Sequence, residues 1–143
     1  MAREIDDDAG IAEVVRSMKR VAVLGIKTEA QRGQPAFSVP EYVQQQGVEV
    51  VPVPVYYPDV TEILGEKVYR SVSAIPGEVD LIDVFRRPQD IDQHVDDLIA
   101  KKPKVVWFQL GIRNDAAAKR LIDAGIDVVQ DRCLLVDHRR FAR

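Results

Sequence analysis

Five cations stand where apolar runs of this chain give way to turns: Lys27, Arg32, Arg86, Arg87 and Arg113. Lys27 follows the run Val21-Ala-Val-Leu-Gly-Ile, which enters a turn at Gly25. A loop with Arg32 and Gly33 comes next, and a helix is expected to begin near Ser38. A strand, a glycine turn and a helix N-terminus together make a phosphate site: the turn exposes backbone N–H groups and the helix dipole adds partial positive charge. Arg86 and Arg87 close the apolar run Val79 to Phe85, and Arg113 follows the run Val105 to Gln109. Guanidinium and ammonium groups that share one crevice would hold an anionic ligand carrying more than one phosphate. Taken singly, each of these cations also reads as a solvated loop residue. Their expected convergence on one sheet edge is what points to a function.

The elements that must position them alternate in type. Ile11, Val14, Val15 and Met18 have helical spacing, with Asp6 to Asp8 at the favourable N-terminal end. Arg20 to Gly25 is nearly continuous in apolar residues, the pattern of a strand buried on both faces of a parallel sheet. Ser38-Val-Pro-Glu41 has the form of a capping box, with Pro40 in the first turn, and Gly47 suits the helix C-terminus. Val48 to Val53 is a second strand, Tyr56 to Gly65 is irregular and mobile, and Lys67 to Tyr69 is a very short strand. Val79 to Phe85 is another strand, and Pro88 opens a helix with Ile91, Val95, Leu98 and Ile99 on one face. Val105 to Gln109 follows as a strand, then a helix capped by Asn114 and ended at Gly125, then a last strand from Ile126 to Gln130. This alternation predicts one α/β domain over residues 1–143: a mainly parallel sheet of about five strands with helices on both faces.

In such a sheet, ligands sit at the carboxyl ends of the strands. The second strand end discriminates between ligands. NAD sites place a carboxylate there for the ribose hydroxyls and carry G-x-G-x-x-G after the first strand. Here the second strand ends in Pro52-Val53-Pro54, and Gly25 and Gly33 stand far apart. A proline-walled apolar shelf suits an adenine ring, although proline also serves simply to end a strand in a rigid turn.

The totals exclude several classes. A net charge of −3 gives no bulk attraction to nucleic acid or to an anionic membrane. No apolar run approaches the length of a membrane span, and the acidic N-terminus does not read as a signal peptide. The single cysteine, Cys133, cannot staple the fold and fits a reducing, cytoplasmic compartment. One cysteine and two separated histidines make no metal-ligand pattern. Cys133 and His138 hint at thiol chemistry, but a structural cysteine is the simpler reading. His94 reads as a solvated residue of a polar helix face, and Trp107 as core. Of Asp80 and Asp83, one is expected at the strand entrance and the other bonded to backbone or arginine.

Three segments carry a resemblance: Asp80-Leu-Ile-Asp-Val-Phe-Arg-Arg-Pro88, Val106-Trp-Phe-Gln-Leu-Gly-Ile-Arg-Asn114 and Asp131-Arg-Cys133, with Ile63-Leu-Gly-Glu-Lys-Val-Tyr69 beside them. From about Ile11 to His138 the chain resembles the stand-alone CoA-binding proteins, relatives of the CoA-binding N-terminal domain of the succinyl-CoA synthetase α subunit. The resemblance implies a Rossmann-like fold that holds coenzyme A or an acyl-CoA at the strand ends. Gly25, Ile26 and Lys27 would lie beside the phosphates, with Arg32 and Ser38 on the same side. Pro52, Val53 and Pro54 would border the adenine. Phe85, Arg86 and Arg87 would contact the middle of the ligand or its phosphates, and Gln109 and Gly111 would line the far side. Two departures stand out. Lys27 replaces a small hydroxyl residue, where it either adds charge or blocks the site, and Pro54-Val55 replaces Asn-Pro.

The function these readings favour is binding of CoA or acyl-CoA without catalysis, with a small-molecule ligand and no nucleic-acid or membrane partner. The alternatives are a subunit or fragment of an acyl-CoA ligase-type enzyme, which would need a partner for its remaining chemistry, and an NAD-type nucleotide sensor. A receiver-type signalling domain would need an acidic pair after the first strand, and Gly25-Ile26-Lys27 offers none.

Overall fold

The structure, a computed structural model, describes residues 1–142. Helix α1 (Asp8–Ser17) begins at Asp7, whose side chain accepts from the Gly10 N–H at 3.4 Å. It leads into β1 (Arg20–Leu24), the strand on which the sheet is organised. β2 (Glu49–Val53) and β5 (Leu81–Val84) flank β1, both parallel to it, and β6 (Val105–Gln109) and β7 (Asp127–Arg132) extend the sheet beyond β5. The spatial order is β2-β1-β5-β6-β7, with every pairing parallel. Connections therefore run one way from β1 to β2 and the other way from β5 onward. The crevice at that reversal, between the carboxyl ends of β1 and β5, is where ligands bind in sheets of this kind.

Alternation along the strands divides the core. Val21 and Val23 of β1 face one layer with Phe37, Val43, Trp107 and Leu134; Ala22 and Leu24 face the other with Ile82, Leu98, Phe108 and Leu121. The first layer is closed by α1, α2 (Pro35–Gln45) and α5 (Leu134–Phe141), the second by α3 (Val95–Lys101) and α4 (Asp115–Asp123). Helices thus cover both faces, as the unbroken apolar strands require. Asn114 caps α4 by accepting from Ala117 N–H at 3.0 Å, and Gly125 follows it with φ of 91°. Asp80 sits at the entrance of β5, where its carboxylate accepts from the Lys19 and Arg20 N–H groups at 2.8 and 2.9 Å. Trp107 is fully buried and donates its indole N–H to the Arg132 carbonyl at 2.8 Å.

Four local expectations change. α2 starts at Pro35, not near Ser38, because a proline at the first helical position is pre-set for the helix. Ser38 therefore lies inside the helix, its N–H bonded to the Gln34 carbonyl at 2.9 Å, and the box with Glu41 does not cap the helix. Pro88 opens two single 3₁₀ turns, Pro88–Asp90 and Asp92–His94, and only then α3. The very short strand falls at Glu66–Lys67 (β4) and pairs antiparallel with Glu62–Ile63 (β3), which lies in the stretch expected to be irregular. The turn between them has positive φ at both Leu64 and Gly65, the geometry of a tight two-residue hairpin.

Candidate functional site

A cleft of about 410 Å³ opens at the carboxyl edge of the sheet. Its floor is Gly25 and Phe85, the residues that immediately follow β1 and β5. They meet closely: a Cβ on Gly25 would stand 2.3 Å from the Phe85 carbonyl oxygen, and Gly25 has φ of 88°. Only glycine satisfies both conditions. The Gly25 N–H donates to the Val53 carbonyl and the Phe85 N–H to the Leu24 carbonyl, both at 2.8 Å, so the floor is tied to all three adjoining strands.

One wall is the β1–α2 segment, with Ile26, Lys27, Gln34, Pro35 and Ala36. It places the N-terminus of an eleven-residue helix at the cleft, which gives anions a partial positive charge to face. The loop before it is ordered by a capping box that the sequence reading missed: Ala30 N–H donates to Thr28 Oγ1 at 3.3 Å and Thr28 N–H to Gln31 Oε1 at 3.1 Å. Thr28 and Gln31 have the required three-residue spacing, so the signal was present in the sequence. The Lys27 ammonium contacts the Gln34 side-chain carbonyl.

The opposite walls are Arg86, Arg87 and Pro88 after β5, Gly111 and Ile112 after β6, and Val55, Tyr56 and Tyr57 after β2. Arg86 is partly buried; its Nε donates to His94 Nε2 at 3.1 Å, and its guanidinium carbon lies 5.8 Å from the centre of the Tyr56 ring. Arg87 is exposed and paired with Asp90 at 2.7 Å. Gly111 is held by Asp131, whose carboxylate accepts from its N–H at 2.6 Å.

Seven of the expected site residues line this cleft: Gly25, Ile26, Lys27, Phe85, Arg86, Arg87 and Gly111. Six do not. Arg32 points to Glu41 at 2.9 Å and lies over the Phe37 ring. Ser38 sits one helical turn inside α2. Pro52, Val53 and Pro54 are buried and do not line the cleft; the residues that follow them, Val55, Tyr56 and Tyr57, do. Gln109 is 4% exposed and faces the buried carboxyl of Asp83. Arg113 pairs with Glu4 and Asp115. The five-cation convergence thus narrows to Lys27, Arg86 and Arg87.

Two contributors had no sequence signal. Arg70 braces the segment after β2: its guanidinium donates to the carbonyls of Tyr56, Tyr57, Pro58 and Val60 at 3.1, 2.8, 3.2 and 2.7 Å. A stretch expected to move freely is therefore cross-linked, with Tyr57 at a φ of 62°. His94, expected in solvent, is partly buried against Arg86; burial and then the Arg86 charge lower its pKa. Cys133 stands at the start of α5 and His138 lies further along it, with Nδ1 2.9 Å from the Tyr42 hydroxyl. Among the described residues, no group of three His, Cys, Asp or Glu side chains is placed to hold a metal ion, and no helix is long and apolar enough to cross a membrane. A smaller cavity of about 220 Å³ lies at the far edge of the sheet, where Arg3 and Lys104 are balanced by Glu13, Asp80 and Asp127.

A family model described as a CoA binding domain matches residues 19–139. The uncharacterised protein YneT of Bacillus subtilis (strain 168) is 32% identical over 130 residues, which are 91% of this chain and 93% of that protein. Among solved structures, cell-free ID.343 from Thermus thermophilus is 37% identical with a TM-score of 0.86, covering 95% of this chain and 99% of its own. A hypothetical protein from Pyrococcus horikoshii OT3 is 32% identical with a TM-score of 0.85, covering 100% and 99%. The fold also recurs in a dinucleotide-forming acetyl-coenzyme A synthetase of Ca. Korarchaeum cryptofilum, at 18% identity and a TM-score of 0.68, where the match takes 81% of this chain and 26% of the synthetase.

Proposed function

The chain belongs to the CoA-binding domain family, and we propose that it binds coenzyme A or an acyl-CoA in the cleft between the carboxyl ends of β1 and β5. The observation that carries this reading is the meeting, at one topological switch point, of a glycine floor, a helix N-terminus and three cations, Lys27, Arg86 and Arg87. Diphosphate and phosphate oxygens would accept from these groups. The apolar wall of Val55, Tyr56 and Tyr57, with Ile112 across the cleft, suits the adenine and the pantetheine arm. The segment after β2 offers no carboxylate to the cleft, which disfavours ribose-diol recognition of the NAD type.

We further propose that the chain binds without turnover. The described lining holds glycine, proline, alanine, apolar and aromatic side chains, one glutamine and three cations, and no cysteine, histidine or carboxylate. Arginine stays charged at any useful pH and transfers protons poorly. Calorimetry with CoA, NAD and ATP at matched ionic strength tests the ligand class: CoA is expected to bind most tightly, and a preference for NAD would overturn the reading. Native mass spectrometry of the freshly purified protein is expected to show a co-purifying CoA or acyl-CoA mass.

A further inference from the structure

Arg86 is the one cleft cation whose guanidinium is held by groups from two other parts of the chain. Its Nε donates to His94 Nε2 at 3.1 Å, its Nη1 reaches the Tyr56 hydroxyl at 3.4 Å, and its guanidinium carbon lies over the Tyr56 ring, 5.8 Å from the centre. Arginine has donors and no acceptor, so the contact with His94 has only one sense. His94 must accept through Nε2, which requires a neutral imidazole with its proton on Nδ1. The surroundings favour that form. Burial and the adjacent Arg86 lower the pKa of His94, against weaker opposite pulls from Asp97 on α3 and Asp90 in the preceding turn. His94 is also free for this task, since it ends the 3₁₀ turn before α3 and its side chain caps nothing.

We propose that His94 is a positioning residue of the cleft, which by accepting from Arg86 Nε aims the remaining guanidinium donors at a ligand phosphate. The inference rests on the CoA reading of the cleft. An arginine fixed before the ligand arrives loses less rotational freedom on binding, so its contact contributes more to affinity.

The test is a double-mutant cycle read by calorimetry with CoA on the full chain. Met and Gln have nearly the same shape, but only Gln offers an oxygen to the Arg86 Nε–H. His94→Met is expected to weaken CoA binding about 10-fold, the lower end of the range for losing a hydrogen bond to a charged group. His94→Gln is expected to stay within about twofold of the parent, because its carbonyl restores the acceptor. In an Arg86→Ala background, His94→Met should change nothing further. His94→Phe, a ring without an acceptor, is the second acceptor-free variant, and either one carries the test if the other does not fold. Equal affinity for the acceptor-free and parent proteins, or losses that simply add to that of Arg86→Ala, would overturn the positioning role while leaving the cleft reading intact. Failure of the parent to bind CoA would overturn both.

Discussion

Lys27 donates its backbone N–H to the Ala36 carbonyl at 3.1 Å, and Pro40 is the reason that carbonyl is free. In an uninterrupted helix the N–H of residue 40 would bond to the carbonyl of residue 36, but proline has none. The defect in α2 thus becomes the tie that holds Lys27 against the helix N-terminus. Pro40→Ala should supply the missing N–H and draw Ala36 back into the helix. The variant is expected to fold with undiminished thermal stability, since alanine is the better helix former. CoA affinity should fall about 2- to 10-fold, the worth of one net hydrogen bond, as Lys27 is released. Unchanged affinity in calorimetry would show that the tie does not matter to binding.

The two arginines after β5 should not be equivalent. Arg86 is partly buried and aimed into the cleft, whereas Arg87 is largely exposed and paired with Asp90. Arg86→Ala is expected to cost on the order of 1.5–3 kcal/mol of CoA binding, the scale of a charge-assisted contact. Arg87→Ala should weaken binding much less, because solvent screens its charge. Affinity of the parent should fall as salt rises. Loss of neither affinity would remove the cleft as the site.

Much of this arrangement is legible in the residues, and the remainder is not for physical reasons. Strand and helix periodicity is local, so the parallel sheet and its two helix layers follow from it. Gly25, Lys27 and Arg86 are legible because a strand end fixes where the next residues point. Arg32 and Arg113 are not, because folding brings them carboxylate partners from other elements: Glu41 sits on the next helix, and Glu4 lies 109 residues away in sequence. Ser38 misleads because two signals compete, and proline at a first helical position prevails over a capping box beginning three residues later. Arg70 and His94 act through contacts made only when separate loops pack together, and no spacing announces such contacts.

Arg70 should control the wall of the cleft. Four carbonyls from Tyr56 to Val60 converge on one guanidinium, and no other side chain offers so many parallel donors. Arg70→Ala is expected to leave the sheet intact while amide exchange rises over residues 56–60. Protease nicking should appear there, and CoA binding should weaken because Tyr56 and Tyr57 lose their placement. Arg70→Lys should rescue only in part, since a single ammonium cannot span the set. Exchange in this segment identical to that of the parent would show that the brace carries no weight.

Asp83 lies in the middle of β5, 1% exposed, with one terminal atom of the Gln109 amide 3.1 Å from Oδ1 and 3.3 Å from Oδ2. Burial pushes its pKa well above the ordinary carboxyl value. A neutral Asp83 can donate its own O–H to Gln109 Oε1, an oxygen that the Leu134 N–H also approaches at 3.4 Å. A charged Asp83 would instead need the amide turned to present its nitrogen. The sign of the pH effect follows from linkage. In the unfolded chain the carboxyl titrates near pH 3.9, so above that pH the native state binds the extra proton. The contribution of Asp83 to stability is therefore greatest below about pH 4 and falls as pH rises toward the folded pKa, by about 1.4 kcal/mol for each unit between the two values. Asp83→Asn removes the titration and keeps a donor for Gln109 Oε1. Urea unfolding should find the variant close to the parent at pH 4 and more stable at pH 8. A variant less stable than the parent at pH 8 would mean that the ionised carboxylate is the form the fold requires.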